Sequence, residues 1–516
     1  MDIIENKALQ FVTRKYDLIT KLIPKSKILE HKADKAKMLV HWGADETQIL
    51  RNIGIKNVPH PILGTYRWPG VYTPFEHQKA TAAFLAENPR CFCLSEAGTG
   101  KTSAAAWAAD YLISKGKVAR VLVICPMSIM DTAWRADLFR TLMHRTAAIA
   151  MGTRQKREEV ISGNYEFVII NFDGVKVVRD ALAQGGFDLI IVDEANAIKS
   201  VTTDRWKAVA SLIKPDTRLW LMTGTPASQS PLDAYGLAKL VNPGGVPKFF
   251  GAFRDMVMVK VTQYKWLPRM DSQDIVFKAL QPAIRFTKAE CLDLPDLLYT
   301  TRNVPLTKQQ THYYELIRKE MVARAAGEEI TAINAAGLLN KLLQVSQGCA
   351  YSTEKEVIEF DIRDRLLELL DVINATTHKV LVFIPFRHVL ERLQEELLKL
   401  GITVGVLHGG VPAGGRAGVV KAFQTEDNPR VILAQPAAVA HGLTLTRADT
   451  VVWWGPVPSA ELYLQGNARA HRAGQKNKVT VVRLQGSPVE KRMYALLDGK
   501  VDLHRSLVDL YKQEIE

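Results

Sequence analysis

Cys91-Phe-Cys-Leu94 runs directly into Ser95-Glu-Ala-Gly-Thr-Gly-Lys-Thr102, and helical periodicity over Lys101–Ser114 follows at once. A short apolar strand, a glycine-rich loop and a helix start is the order that a phosphate-binding loop requires. Glycines at 98 and 100 let the backbone N–H groups from Ala97 through Gly100, with that of Thr99 between them, converge on phosphate oxygens. The helix N-terminus adds partial positive charge, Lys101 reaches the terminal phosphates, and the Thr102 hydroxyl suits magnesium. Ser95 stands where the eight-residue pattern begins with Gly, while Gly98-Thr-Gly-Lys-Thr102 is intact. ATP and magnesium are the cofactors this loop implies.

Working outward, Val121–Cys125, Phe167–Asn171, Asp188–Val192 and Leu219–Met222 repeat the strand length and apolar character of Cys91–Leu94. Helical stretches such as Lys101–Ser114 and Asp173–Leu182 separate them. Strands apolar on both faces and joined by helices predict a parallel sheet in a doubly wound α/β domain. The alternation restarts with Val380–Ile384, Thr403–Leu407, Val431–Ala434, Thr450–Trp454 and Val479–Leu484 as strands. Ile362–Val372, Val389–Leu400, Ala417–Phe423 and Ala460–Ala470 are the helices between and beside them. The expected fold class is therefore α/β, with two parallel-sheet lobes, a helical insertion between them and a small helical N-terminal region.

The expected divisions are a mostly helical accessory region over 1–70, an ATP-binding lobe over 71–245 and helical insertions with the lobe-connecting segment over 246–360. A second lobe over 361–486 and a helical tail over 487–516 follow. Residues 1–60 carry eleven Lys/Arg against seven Asp/Glu, which reads as a solvated surface helix rather than a dedicated nucleic-acid arm. His60–Pro74 is dense in Pro and Gly and predicts a loop, and Leu292-Asp-Leu-Pro295 predicts a hinge.

At 516 residues the chain exceeds one compact core, and its 47% apolar and 23% charged composition is globular. With 67 Lys/Arg against 54 Asp/Glu, the net charge of +13 fits a polyanionic partner. No apolar run reaches the roughly 18 residues of a membrane span, and the acid-bearing start does not read as a signal peptide. Cys91, Cys93, Cys125, Cys291 and Cys349 are an odd, scattered set without metal-ligand spacing, which predicts a reducing intracellular compartment, and Cys91 and Cys93, alternating inside an apolar stretch, read as core strand residues.

The strand ending at Val192 leads into Asp193-Glu194-Ala-Asn196. Two adjacent carboxylates at a buried strand end need a partner, and the cation beside Thr102 is the expected one for Asp193. Glu194 is then placed to orient or deprotonate the attacking water. In the second lobe, Gln465, Arg469 and Arg472 fall at i, i+4 and i+7 on one helix face. Arginines so placed are expected to reach the γ-phosphate across a cleft between the lobes and neutralise the charge that develops there. Trp453 and Trp454 lie in an apolar strand and predict core packing rather than base stacking.

Together these residues resemble the superfamily-two helicases, and within them the Swi/Snf-like ATPase family, over roughly residues 70–500. Phe75-Glu-His-Gln78 resembles the adenine-contacting element, Ser95–Thr102 motif I, Ile124-Cys-Pro-Met-Ser128 with Trp134 motif Ia, and Asp193–Asn196 motif II. Met222-Thr-Gly-Thr-Pro226 resembles motif III, and Arg285-Phe-Thr-Lys288 with Leu294-Pro295 the lobe-connecting segment. Val382-Phe-Ile-Pro-Phe386, His408-Gly409 and Ala440–Thr446 are similar to motif IV, the element after it and motif V. Gln465-Gly-Asn-Ala-Arg-Ala-His-Arg-Ala-Gly-Gln475 is similar to motif VI almost letter for letter. Asn196 stands where that family usually has His, and Gln435-Pro436 where it usually has Ser/Thr-x-Ala-Gly.

The resemblance implies two RecA-like lobes, ATP with magnesium, and movement along double-stranded DNA. It also implies an adenine contact for Gln78, a nucleotide contact for Gln465, and nucleic-acid contacts for Ser128, Thr223, Arg387, His408 and Thr444. A compact monomer of bacterial or phage type, in a bacterial cytoplasm or an infected host, is expected. Replication, recombination or transcription proteins are the protein partners it suggests. A strand-separating helicase and an ATP-gated protein-binding switch remain as alternatives to the duplex translocase.

Overall fold

A computed structural model describes residues 1–498 apart from 225, 228–229, 262–265, 292–293, 328–331, 352–356 and 440–442. The chain divides into two compact units, Met1–Pro226 with Ala234–Cys291, and Ala227–Asp233 with Leu292–Glu516.

The first unit holds a seven-stranded sheet, all its pairings parallel. Its order is Ala283–Ile284, Arg90–Cys93, Arg218–Met222, Leu189–Asp193, Val121–Cys125, Phe167–Asn171, Ala147–Ile149. The apolar runs sit here because each is covered on both faces: Val121–Cys125, Phe167–Asn171 and Leu189–Asp193 are buried at every position. Register matters for function. Met222 lies opposite Cys93 on one side and Asp193 on the other, so the glycine-rich loop and the acidic pair leave the same edge of the sheet.

The second unit holds a six-stranded parallel sheet ordered Leu297–Asn303, Val479–Gln485, Ala448–Trp453, Lys379–Phe383, Val431–Ala434, Val404–Leu407. Helices Arg363–Ala375, Arg387–Lys399, Ala413–Thr425 and Ala460–Ala470 accompany it. Trp453 and Trp454 are both wholly buried, as core packing requires. Trp453 stacks on Phe383 at 4.5 Å, and its indole N–H donates to Asn467 Oδ1 at 2.9 Å.

Two expectations need correction. Residues 1–60 are not mainly helical: Asp2–Ile4, Ala8–Thr13, Lys35–His41 and Ser26–Lys32 form a four-stranded antiparallel sheet, with helices Tyr16–Leu22 and Ala44–Asn52 against it. Leu9, Phe11, Ala36, Met38 and Val40 form its buried face, with Ile19, Ile23 and Leu50 in the same core. The lysines of Lys35-Ala-Lys-Met-Leu-Val-His41 alternate with Ala36, Met38 and Val40, a period of two that puts charge on one face and core on the other.

The middle segment is likewise not only helical. Besides helices such as Phe250–Val257 and Ser272–Ala279, it supplies Ala283–Ile284 to the first sheet and Leu297–Asn303 to the second. The expected helix Asp173–Leu182 is two short helices, Phe172–Val177 and Arg179–Gln184. The tail beyond Asp498 and the hinge residues Leu292 and Asp293 lie outside the described residues. No helix among the described residues is long and apolar enough to cross a membrane. Cys91, Cys93, Cys125 and Cys349 are buried thiols.

Candidate functional site

Gly100 caps the helix Lys101–Ser114 with φ +77°, and Gly98 has φ +90°; both are left-handed conformations that a side chain at either position would strain. The loop between them is braced from the helix Glu76–Glu87. Gln78 Nε2 donates to the Gly100 carbonyl at 3.3 Å while its Oε1 accepts from the Phe75 N–H at 2.9 Å. A Cβ on Gly100 would meet Gln78 Nε2 at 2.0 Å, so a side chain there would displace the Gln78 amide as well as strain the backbone. His77, one residue earlier, donates from Nε2 to the Thr99 carbonyl at 2.8 Å.

Lys101 Nζ donates to the carbonyls of Ser95 at 2.8 Å and Glu96 at 3.2 Å. The lysine is thus aimed into its own loop, over the groups that frame a phosphate. Ala97, Gly98, Lys101 and Thr102 are half-buried and Thr99 is buried, so the loop is a partly open cradle. Gly224 closes one side: a Cβ there would stand 3.4 Å from the Ala97 nitrogen.

Asp193 ends the strand Leu189–Asp193 and is buried. Burial, then the neighbouring Glu194 carboxylate, pushes its carboxyl up to about 6, opposed by the Lys101 charge and the indole N–H of Trp134. That indole donates to Asp193 Oδ2 at 3.0 Å, and the Glu194 N–H donates to Oδ1 at 3.0 Å. Glu194 itself holds φ +52° and ψ +51°, a left-handed conformation for a non-glycine residue directly beside the acid. A buried acid raised by a second acid suits a site that receives positive charge, which a divalent cation held by Asp193 and Thr102 would supply.

In the second unit Arg469, on the helix Ala460–Ala470, and Arg472, just beyond its C-cap His471, reach the stretch that begins at Leu443. Arg469 Nη1 and Arg472 Nη1 both donate to the Leu443 carbonyl, at 3.2 and 3.1 Å. Arg469 Nε also bonds the Gln465 carbonyl at 2.9 Å, and the Leu445 N–H donates to the Arg469 carbonyl at 3.0 Å. Gln465 Nε2 donates to Glu461 Oε1 at 3.1 Å, and its Oε1 is buried without a donor among the described residues. The sequence stripe is therefore a real cluster, and motif VI holds motif V.

Of the expected nucleic-acid residues, Arg387 and His408 come together. They follow the strands Lys379–Phe383 and Val404–Leu407, which flank Val431–Ala434 in the sheet, and a Cβ on Gly410 would stand 3.0 Å from His408 Cε1 and 3.4 Å from Arg387 Nη1. Arg387 is exposed and pairs with Glu391 at 2.7 Å. Ser128 and Thr444 are half-buried, Ser128 in the turn Met127–Ile129 after its strand. Thr223 is wholly buried at the sheet edge that carries the phosphate loop, and its N–H donates to the Cys93 carbonyl at 3.0 Å. Thr225 and Ala440–Gly442 lie outside the described residues. Sequence reasoning missed the links of Trp134 to Asp193 and of His77 to Thr99. The second had a signal, since His77 neighbours Gln78; the first spans 59 residues and had none.

The SNF2-related domain matches residues 40–353, and the helicase conserved C-terminal domain matches residues 361–474. The chain belongs to the SNF2-related family. This SNF2-related chain is 28% identical over 453 residues to the SWI/SNF-related matrix-associated actin-dependent regulator of chromatin subfamily A-like protein 1 of Xenopus laevis, covering 84% of this chain and 43% of that protein. It is 26% identical over 420 residues to the uncharacterized ATP-dependent helicase MG018 of Mycoplasma genitalium, covering 79% and 39%. It is 24% identical over 422 residues to the putative ATP-dependent helicase/translocase YwqA of Bacillus subtilis, covering 77% and 44%. The chain spans less than half the length of each of these relatives. The Sulfolobus solfataricus SWI2/SNF2 ATPase core in complex with double-stranded DNA aligns over 87% of this chain and 97% of its own, at 19% identity and a TM-score of 0.43.

Proposed function

We propose that this chain is a DNA-dependent ATPase that couples ATP hydrolysis to movement along double-stranded DNA, remodelling DNA structures or protein–DNA complexes. The observation that carries the reading is the Lys101–Ser95/Glu96 arrangement beside a buried Asp193 held by Trp134, in a chain whose other unit gathers Arg469 and Arg472 on one carbonyl. Family membership and a net charge of +13 support nucleic acid as the stimulating partner.

In this mechanism the backbone N–H groups of residues 97–100 receive the phosphates, and Lys101 exchanges two carbonyls for phosphate oxygens. Asp193 and Thr102 are the residues that would hold magnesium, which when bound neutralises phosphate charge. Glu194 orients the attacking water and accepts its proton. Arg469 and Arg472 neutralise the γ-phosphate as charge develops, and Gln78 and Gln465 contact the nucleotide. Arg387, His408, Thr444 and Ser128 grip the nucleic-acid backbone, so binding is salt-sensitive and indifferent to sequence.

The test is ATP hydrolysis with and without duplex DNA, beside triplex displacement and forked-duplex unwinding. Duplex-stimulated hydrolysis with triplex displacement and no fork unwinding supports the reading. Fork unwinding moves it to a strand-separating helicase, and hydrolysis indifferent to any nucleic acid sinks it.

A further inference from the structure

Ala234–Arg254 and Ile275–Ala289 contain no Asp or Glu, yet carry Lys239, Lys248, Arg254, Lys278, Arg285 and Lys288. These two short stretches alone supply six of the net thirteen positive charges. Both belong to the first unit, and the fold brings parts of them together. Helix Ser272–Ala279 packs back along helix Phe250–Val257, with the Arg269 N–H on the Val257 carbonyl at 2.9 Å where the chain returns. The start of the first helix and the finish of the second therefore share one end of the pair. The acids of this region, Asp255, Asp271 and Asp274, belong to the opposite end. There Asp255 meets Arg254 at 3.2 Å and Asp271 meets Arg269 at 3.5 Å.

The acid-free end offers aromatic rings to solvent. Phe249 and Phe277 are each 69% exposed, and Phe250 is 42% exposed. Phe249 follows exposed Lys248, whose Nζ lies 5.6 Å from the ring centre, and Phe277 precedes exposed Lys278. The backbone under both rings is anchored. Tyr235, itself buried, donates from its hydroxyl to the Lys248 carbonyl at 2.9 Å and meets Phe250 edge-on at 5.4 Å. Asn242 Nδ2 donates to the Gln281 carbonyl at 3.3 Å, and Gln281 Nε2 donates to the Phe277 carbonyl at 3.2 Å. Solvent-facing phenylalanines gathered on fixed backbone mark a surface built for contact.

We propose that this end of the helix pair binds an unpaired nucleic-acid strand, with Phe249 and Phe277 stacking on bases while Lys248 and Lys278 pair with backbone phosphates. An acid-free cationic surface attracts a polyanion. Every base has a π-face, and the bases of a duplex already stack on one another, so exposed rings are used by a strand that is single. An acidic protein segment satisfies the lysines but leaves the rings without that stacking partner, and it is the competing occupant. The surface goes beyond the duplex translocase proposed above. It makes DNA with a single-stranded segment a tighter ligand than blunt duplex, without need of ATP.

The experiment is fluorescence anisotropy of the full chain, without nucleotide, against three labelled ligands of about 20 nucleotides, long enough for both rings. They are an oligothymidylate, an abasic strand of the same length and a blunt duplex. Wild type binds the oligothymidylate about thirtyfold tighter than the abasic strand, the low end for two stacked bases. Phe249→Ala with Phe277→Ala removes that preference, while duplex affinity and duplex-stimulated ATP hydrolysis change by less than about twofold. Phe249→Tyr with Phe277→Tyr keeps both rings and the preference, which separates loss of stacking from loss of fold. Lys248→Ala with Lys278→Ala reduces the slope of log affinity against log salt for the single strand by about 1.4. A double alanine variant that binds oligothymidylate as wild type does overturns the proposal and leaves an acidic protein as the occupant. So does a wild type that does not distinguish thymidylate from abasic strand. Hydrolysis indifferent to duplex, with the thymidylate preference intact and lost in the alanine variant, sinks the translocase reading and leaves this surface standing.

Discussion

In the proposed function Lys101 in the first unit and the pair Arg469–Arg472 in the second are the cations offered to phosphate, and both rest on main-chain carbonyls in different ways. Lys101 bonds carbonyls five and six residues back in its own loop, so its departure unlocks only that loop. The two arginines share one carbonyl, Leu443, that belongs to a different motif, and Arg469 adds a bond to Gln465. A lysine resting locally is free to change partners. Guanidinium groups resting on a neighbouring loop carry that loop with them, so the arginines double as structure. The difference teaches that the first unit's cation can change partners without moving another segment, whereas the second unit's cations are tied to the placement of Leu443.

The largest expected effect breaks the first half of the comparison. Lys101→Ala leaves the Ser95 and Glu96 carbonyls to water and removes the cradle's charge, so kcat/KM for ATP falls on the order of 10⁴-fold, with both affinity and rate contributing. Thermal unfolding of this variant stays close to wild type, because a half-buried lysine on loop carbonyls contributes little to folding. An unfolding midpoint lowered as far as that of a core variant would show that Lys101 is structural.

Next, Arg472→Ala and Arg469→Ala separate chemistry from scaffolding. Each lowers kcat on the order of 10³-fold if it serves the γ-phosphate, with nucleotide affinity nearly unchanged. Arg469 is buried and its guanidinium bonds the Gln465 and Leu443 carbonyls, so its loss also costs about 2 kcal/mol of stability, whereas the half-buried Arg472 costs less than about 1 kcal/mol. Denaturant melts of the second unit's signal read that contrast. Equal destabilisation in the two variants would remove the distinction between them.

A smaller effect sharpens the acid side. Trp134→Phe keeps the buried ring and deletes the indole N–H that donates to Asp193 Oδ2, so kcat falls about tenfold and the magnesium requirement rises. Trp134→Phe with full activity at limiting magnesium would mean that the Asp193 carboxylate is held by its strand alone.

Both α/β lobes were legible because parallel strands buried on two faces announce themselves as unbroken apolar runs: Val121–Cys125 and Lys379–Phe383 are buried at all five positions. The N-terminal sheet hid behind its lysines, since one-faced strands carry charge at every second residue and a count of charges erases that period. Leu297–Asn303 was hidden for another reason. It is an edge strand exposed along nearly its whole length, so only its pairing with Val479–Gln485 marks it as sheet. At the site, residues clustered in sequence were readable: the loop 95–102, the pair 193–194, the stripe 465–472. What sequence did not show were contacts between distant segments, Trp134 on Asp193 and Phe286 on Ser95, because hydrogen-bond partners across a fold leave no spacing to read. The burial of Thr223 was unreadable for a related reason: a polar residue at a strand end looks surface-directed until the neighbouring strands are placed.

The last and smallest effect concerns a basic group of the first unit that behaves unlike Lys101 and the arginines, because it must stay uncharged. His60 is buried where the N-terminal segment meets the phosphate-loop helix, its ring edge-on to Tyr111 at 5.6 Å and its Nδ1 accepting from the Ile62 N–H at 3.3 Å. Burial first, then the charges of Arg51 and Lys117, lower its pKa from 6.5 to about 3. Between those values the unfolded chain binds a proton that the folded chain refuses, so stability is full above pH 6.5 and is lost as pH falls towards 3. At pH 5.5 the loss is about 1.4 kcal/mol, the free energy of one pH unit below the unfolded pKa. Urea melts at pH 7.5 and 5.5 should show that drop in wild type, and His60→Gln, which cannot take the proton, should lose about 1 kcal/mol less between the same two pH values. An identical pH dependence in the variant would place the acid sensitivity elsewhere. It would also mean that His60 accepts its proton beside Arg51 and Lys117, making it one more cation resting on the fold.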